Sequence, residues 1–148
     1  MAVTLSNALL AQLAEYGIDP VSFANQFESW KHGWPKHEFE HKLFGKDGAY
    51  CSPEVNGERY GLRHVHIVPL ADTVARKRWF NVFRRKGRKV SDRHLVYVSD
   101  KRGNHGLILI LDEPNAHKIA QMRDPTSRKA MEGMAVVAEN FLFDGSLD

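Results

Sequence analysis

The stretch H-L-V-Y-V at 94–98, S-D-K-R-G-N-H-G at 99–106 and L-I-L-I-L at 107–111 reads as two β-strands joined by a short polar turn. The first run is rich in β-branched and aromatic residues. The second is apolar at every position, as in a strand covered on both faces. The connection carries two glycines and four charged or amide side chains, so the two runs predict an antiparallel hairpin. Upstream, H-V-H-I-V at 64–68 gives a third strand that Pro69 ends or places near an edge. Strands adjacent in sequence, with helical patterns before and after them, predict an α+β domain with a small antiparallel sheet.

The helices are legible from spacing and end signals. Leu9, Leu10, Leu13 and Tyr16 recur at helical spacing, and Gly17 follows as a stop. Asp19 is an N-cap before Pro20, and Phe23, Ala24, Phe27 and Trp30 form one stripe that Gly33 and Pro35 close. Asn115 caps A-H-K-I-A, and Asp124-Pro125 starts a longer helix whose apolar face is Ala130, Met131, Met134, Val137, Ala138 and Phe141. We therefore expect a single domain over 1–148, with a helical pair in 1–33 and the sheet and C-terminal helix in 63–143. Residues 36–63 hold turn chemistry (G-K-D-G, N-G-E-R) and no period, so no element is assigned there.

Charge is unevenly distributed. Arg76–Arg93 holds nine of the 21 Lys+Arg and one of the 18 acids, so the rest of the chain is net acidic although the whole sums to +3. A basic segment with Trp79, Phe80 and Phe83 interleaved suits a polyanion whose unstacked bases pack on aromatic faces, which favours RNA. Arg84, Arg85, Lys86, Arg88, Lys89, Arg93 and Lys118 are the candidate RNA contacts. One cysteine, Cys51, allows no internal disulfide and no thiolate-rich zinc site. The opening M-A-V-T-L-S-N-A-L-L lacks the basic and apolar regions of a signal peptide, and no stretch reaches the roughly 20 apolar residues of a membrane helix. The expectation is a cytoplasmic protein without a membrane partner.

Four histidines carry the candidate chemistry. His64 and His66, two apart on a strand, share a face; His94 opens the next strand, and His117 opens the helix after the third. Imidazoles suit proton transfer near neutral pH. The same H-x-H pair plus His94 could instead hold zinc. Tyr97, on the opposite face from His94, is either core or a proton donor. Asp47 is cheapest as a turn carboxylate, and Asp92 is placed to orient Arg93 or His94. The first residues of the helix carrying His117 and Lys118 are expected to favour a phosphate. No phosphate-binding loop, nucleophile elbow or C-x-x-C is present.

Seven segments then resemble, in order, the YafO family of toxins from bacterial type II toxin–antitoxin modules. They are F-E-S-W-K-H-G-W-P at 27–35, L-F-G-K-D-G-A-Y at 43–50, R-H-V-H-I-V-P-L at 63–70, V-S-D-R-H-L-V-Y-V at 90–98, L-I-L-I-L at 107–111, E-P-N-A-H-K-I-A at 113–120 and M-x-x-M-A-x-x-A-E-N-F at 131–141. Asp47, Tyr50, His64, His66, Asp92, His94, Tyr97, His117 and Lys118 occupy the family's motif positions. The resemblance implies a RelE-like sheet flanked by helices, a cognate antitoxin, and ribosome-dependent cleavage of mRNA. From the chemistry, His66, His94 and His117 are the first candidates for proton transfer, with His64, Tyr97 and Asp47 behind them, and no metal or other cofactor is expected. Two alternatives stay open: an RNA-binding module without catalysis, and a zinc-dependent hydrolase on His64, His66 and His94.

Overall fold

The computed structural model describes residues 2–81 and 87–148. Its elements run β1 (Val3–Leu5), α1 (Asn7–Tyr16), α2 (Pro20–His32), α3 (His37–Glu40), β2 (Phe44–Ala49), β3 (Arg63–Ile67), α4 (Thr73–Asn81), β4 (His94–Ser99), β5 (His105–Leu111), α5 (Ala116–Ala120) and α6 (Pro125–Asp144). The sheet order is β1-β5-β4-β3-β2. The β4–β5 hairpin forms as the turn chemistry requires, with a register shift between Val96 and Tyr97. The β3–β4 pair is also antiparallel.

The sheet is larger than the three strands expected and is not wholly antiparallel. β1 lies parallel to β5, Val3 opposite His105, and β2 pairs antiparallel with β3 through an irregular step between Phe44 and Asp47. A three-residue β1 has too few positions to show alternation, and its partner lies about a hundred residues away. β2 (F-G-K-D-G-A) contains two glycines and an aspartate, all poor strand formers. Pairing with β3 imposes the strand.

Helix ends follow their capping residues. Ser6 Oγ accepts from the Leu9 amide at 3.0 Å, Asp19 from Ser22 at 2.8 Å and Asp124 from Ser127 at 2.8 Å. Gly17 ends α1 at φ 69°, a left-handed conformation that needs no Cβ accommodation only in glycine. Asn115 occupies the cap position of α5, but its side chain makes no cap bond.

Helices cover both faces. On one side, Leu9 and Leu13 of α1 and Phe23, Phe27 and Trp30 of α2 pack on Phe44, Val65, Leu95, Tyr97 and Leu107. On the other, Met131, Met134, Ala138 and Phe141 of α6 pack on Val96, Val98, Ile108 and Leu111. Ala130, expected on that inner stripe, is exposed, and Val137 is half-buried. Because β-strand side chains alternate, one strand feeds both layers: Leu95 and Tyr97 face α2, while His94, Val96 and Val98 face the other way. No helix among the described residues is long and apolar enough to cross a membrane.

Candidate active site

The β3–β4 register sets His66 directly opposite His94 and His64 opposite Val96. The two-residue repeat of β3 turns both its histidines to one face, where they meet His94. The ring of His64 stacks between Tyr50 at 4.2 Å and His94 at 4.7 Å, and His66 meets His94 edge-on at 4.5 Å. His117, carried by α5, reaches the same group, 4.9 Å from His94 and 6.0 Å from His66. The structure thus brings all four expected histidines together.

Their hydrogen bonds separate one from the rest. His117 Nδ1 lies 2.8 Å from Asp92 Oδ1, and the same oxygen accepts from the His117 backbone amide at 2.7 Å. This carboxylate fixes the ring and leaves Nε2 free on an exposed side chain. It also occupies the amide expected to bind phosphate. Asp92 therefore orients His117, not Arg93 or His94. His94 Nδ1 shares a 3.0 Å hydrogen bond with Tyr50 Oη, and His66 Nδ1 sits 2.8 Å from the Ser91 carbonyl. His64 Nδ1 and His94 Nε2 are buried without a partner.

Burial decides the charge of the inner three. His94 is 2% exposed and His66 6%, so these two candidates for proton transfer are buried beneath the surface. Burial, reinforced by neighbouring imidazoles, pulls His94 down to about 2. Burial likewise holds His64 and His66 at about 4. All three are neutral at pH 7. Nitrogens of His64, His66 and His94 lie within 4.8 Å of one another, the one such metal-ligand grouping among the described residues.

Asp47 and Tyr97 lie on the opposite face. Tyr97 Oη donates to Asp47 Oδ1 at 2.5 Å and accepts from Arg63 Nε at 3.2 Å and Lys31 Nζ at 3.1 Å. Asp47 Oδ2 takes Arg63 at 2.8 Å and Lys31 at 3.2 Å. Tyr97 has no exposed surface, and burial with the Asp47 carboxylate raises its hydroxyl well above 10. The sheet therefore splits the expected site into two groups. Lys31 gave no sign of its role in the sequence, being one of many helix lysines.

The family model described as toxin YafO of a type II toxin–antitoxin system matches residues 28–143. The chain belongs to this toxin family. Membership implies an antitoxin partner. No curated protein and no solved structure matches the chain. The matched span contains every residue of both groups on the sheet.

The basic segment of this YafO-family chain is less uniformly available than its composition suggests. Lys89 is 2% exposed, donates to the Trp79 carbonyl at 2.5 Å, and has its ammonium lowered by burial. Trp79 is itself buried and donates to the Lys42 carbonyl at 2.8 Å. Arg93, expected on a phosphate, is buried away from the histidines; it pairs with Asp112 at 3.0 Å and lies over Tyr16. Arg88 is exposed beside Glu38, and Lys118 is exposed on α5. Phe83, Arg84, Arg85 and Lys86 lie outside the described residues. Lys46 escaped the sequence reading. It is exposed, alternates with Asp47 along β2, and its positive charge helps to keep His66 neutral.

Proposed function

We propose that this toxin is an endoribonuclease that cuts mRNA presented by the ribosome and so halts translation, as in the RelE-like toxins, with no metal needed for the chemical step. The observation that carries the reading is the Asp92–His117 pair set on a wall of imidazoles. RNA supplies its own nucleophile, the 2′-OH, so the protein must position it, accept its proton and stabilise the phosphorane charge. His117 Nε2, with Nδ1 tied to Asp92, accepts that proton. Of the inner histidines, His64 is the half-buried one, and its ring is the part of this group that a base or ribose can reach. Lys46, exposed and acting on His66, and Lys118, exposed next to His117 in α5, supply charge toward the scissile phosphate, and the exposed part of the basic segment holds the flanking RNA or ribosomal RNA. In-line attack forms the P–O2′ bond and breaks the P–O5′ bond, leaving a 2′,3′-cyclic phosphate and a 5′-hydroxyl whose proton comes from solvent water.

The test is cleavage of a translated reporter mRNA by purified toxin in EDTA, with 5′ ends mapped. A single 2′-deoxy substitution at the mapped position should abolish the cut, because the nucleophile is gone. A cut that survives the deoxy substitution but fails in EDTA would move the protein to the zinc-dependent hydrolases. Binding to ribosomes with intact mRNA would leave it an RNA-binding module.

A further inference from the structure

We propose that His64, His66 and His94 form a binding site for one divalent transition-metal ion, zinc first among them. The inference goes beyond the cleavage reading and does not depend on it. Three observations support it. The donors come from facing positions of two paired strands, β3 and β4, so the sheet itself fixes their spacing. Their nitrogens lie within 4.8 Å of one another; ligands around tetrahedral zinc stand roughly 3.3–3.5 Å apart, so ring movements of about an ångström close the site. Finally, His66 and His94 each have Nδ1 engaged, while His94 Nε2 and His64 Nδ1 are buried with no partner.

Those outer contacts are the kind that orient metal-ligating histidines. Where Nδ1–H of His94 donates to Tyr50 Oη at 3.0 Å, the Nε2 lone pair of that ring is left for an ion. His66 Nδ1 is held between the Ser91 carbonyl at 2.8 Å and the Ser91 amide at 2.9 Å, and the tautomer that donates to the carbonyl is the one that frees its Nε2 for the ion. His94 Nε2 and His64 Nδ1 are both buried and unpartnered, which is an unfavourable state for a polar atom unless something binds it. Water would satisfy one or two nitrogens, whereas three imidazole nitrogens within 4.8 Å of one another, with His64 rotating out of its stack on His94, match a late first-row ion. His117, tethered to Asp92 and exposed, stays outside the triad. The ion is therefore structural: it staples β3 to β4 and sets the wall behind His117.

The experiment uses the full-length, tag-free chain, stripped with EDTA and dialysed. Cobalt(II) is titrated in while its visible absorption is followed, and zinc is then added in competition. The expected result is one Co²⁺ per chain, displaced by one Zn²⁺, with a rise in thermal midpoint as sites fill. His64→Gln, a change at the half-exposed member of the triad, should weaken binding by at least about tenfold while circular dichroism stays unchanged. Tyr50→Phe should weaken it by about 10–100-fold through loss of the outer contact. His117→Gln should bind as the parent does. Absence of saturable binding, or a titration unchanged in a folded His64→Gln variant, overturns the proposal. If cobalt binds as described and no mRNA is cut, the cleavage reading fails and the metal site stands. If cleavage proceeds in EDTA and no metal binds, the reverse holds.

Discussion

The two faces of this sheet use the same kinds of polar residue to opposite ends. Toward α2, Tyr97, Asp47, Arg63 and Lys31 close on one another, and every polar atom of Tyr97 and Asp47 has a partner. On the other face, His64 stacks on His94, His66 meets His94 edge-on, and two of their nitrogens remain unmatched. A closed network of buried polar groups specifies and stabilises a fold, whereas unmet hydrogen-bonding capacity is kept where something else must bind. On this contrast we place structure on the first face and the proposed chemistry on the second, although both lie within the family match.

The largest expected effect lies in the Asp92–His117 pair. His117→Ala should lower mRNA cleavage by about 10²–10⁴-fold with little change in thermal midpoint, because the side chain is exposed. Asp92→Ala should lose activity through the same ring, so the double variant should be scarcely worse than the poorer single one. Fully multiplicative losses in single-turnover rates would show that the two residues act separately.

Next comes the closed face. Asp47→Ala leaves the Tyr97 hydroxyl and two half-exposed cations without their acceptor. Charge-assisted hydrogen bonds of this kind contribute about 1.5–3 kcal/mol, reduced here because Lys31 and Arg63 reach solvent. Denaturant unfolding should show the loss, while cleavage per folded molecule stays near the parent value. Activity that falls with stability intact would return Asp47 to the catalytic list.

A smaller effect concerns pH. His64 and His66 titrate at about 4 when folded, and His94 at about 2, against 6.5 for an open chain. Below 6.5 the unfolded state therefore takes up protons that the native state refuses, and stability falls as pH drops toward 4. His41 and His105, on the α2 side, are lowered to about 4 by burial and share this trend. Thermal midpoints from pH 7 to 4 should decline, and His94→Gln should flatten the decline most. A flat profile in the parent would mean that the imidazoles are better hydrated than their burial implies.

The smallest effect probes the wall itself. A Cβ at Gly48 would stand 3.0 Å from His64 Cε1, so Gly48→Ala must shift that ring. Its cost in stability should be within about 1 kcal/mol, as for a mild overpacking. A measurable loss in cobalt affinity should accompany it.

Local signals were readable in the sequence, and long-range ones were not. The β4–β5 hairpin and the Asp19, Gly17 and Asp124 helix ends rest on residues a few positions apart, so spacing alone reveals them. The convergence of His64, His66, His94 and His117 followed from strand periodicity and chain order. What stayed hidden depends on distant partners: β1 and β2 become strands only by pairing, and Asp92 meets His117 across 25 residues. Charge was the most misleading guide. Lys89 and Arg93 count as cations in the composition, yet each is buried against a carbonyl or carboxylate that the sequence does not place beside it.

The most direct measurement sets one residue of each face side by side in the same ribosome-programmed cleavage assay. His117→Gln and Tyr97→Phe are compared as single-turnover rates, each corrected for folded fraction. The account predicts a loss of about 10²-fold or more for His117→Gln and a rate within about twofold of the parent for Tyr97→Phe. Full activity in His117→Gln together with a collapse in folded Tyr97→Phe would place the chemistry on the other face of the sheet and contradict the account.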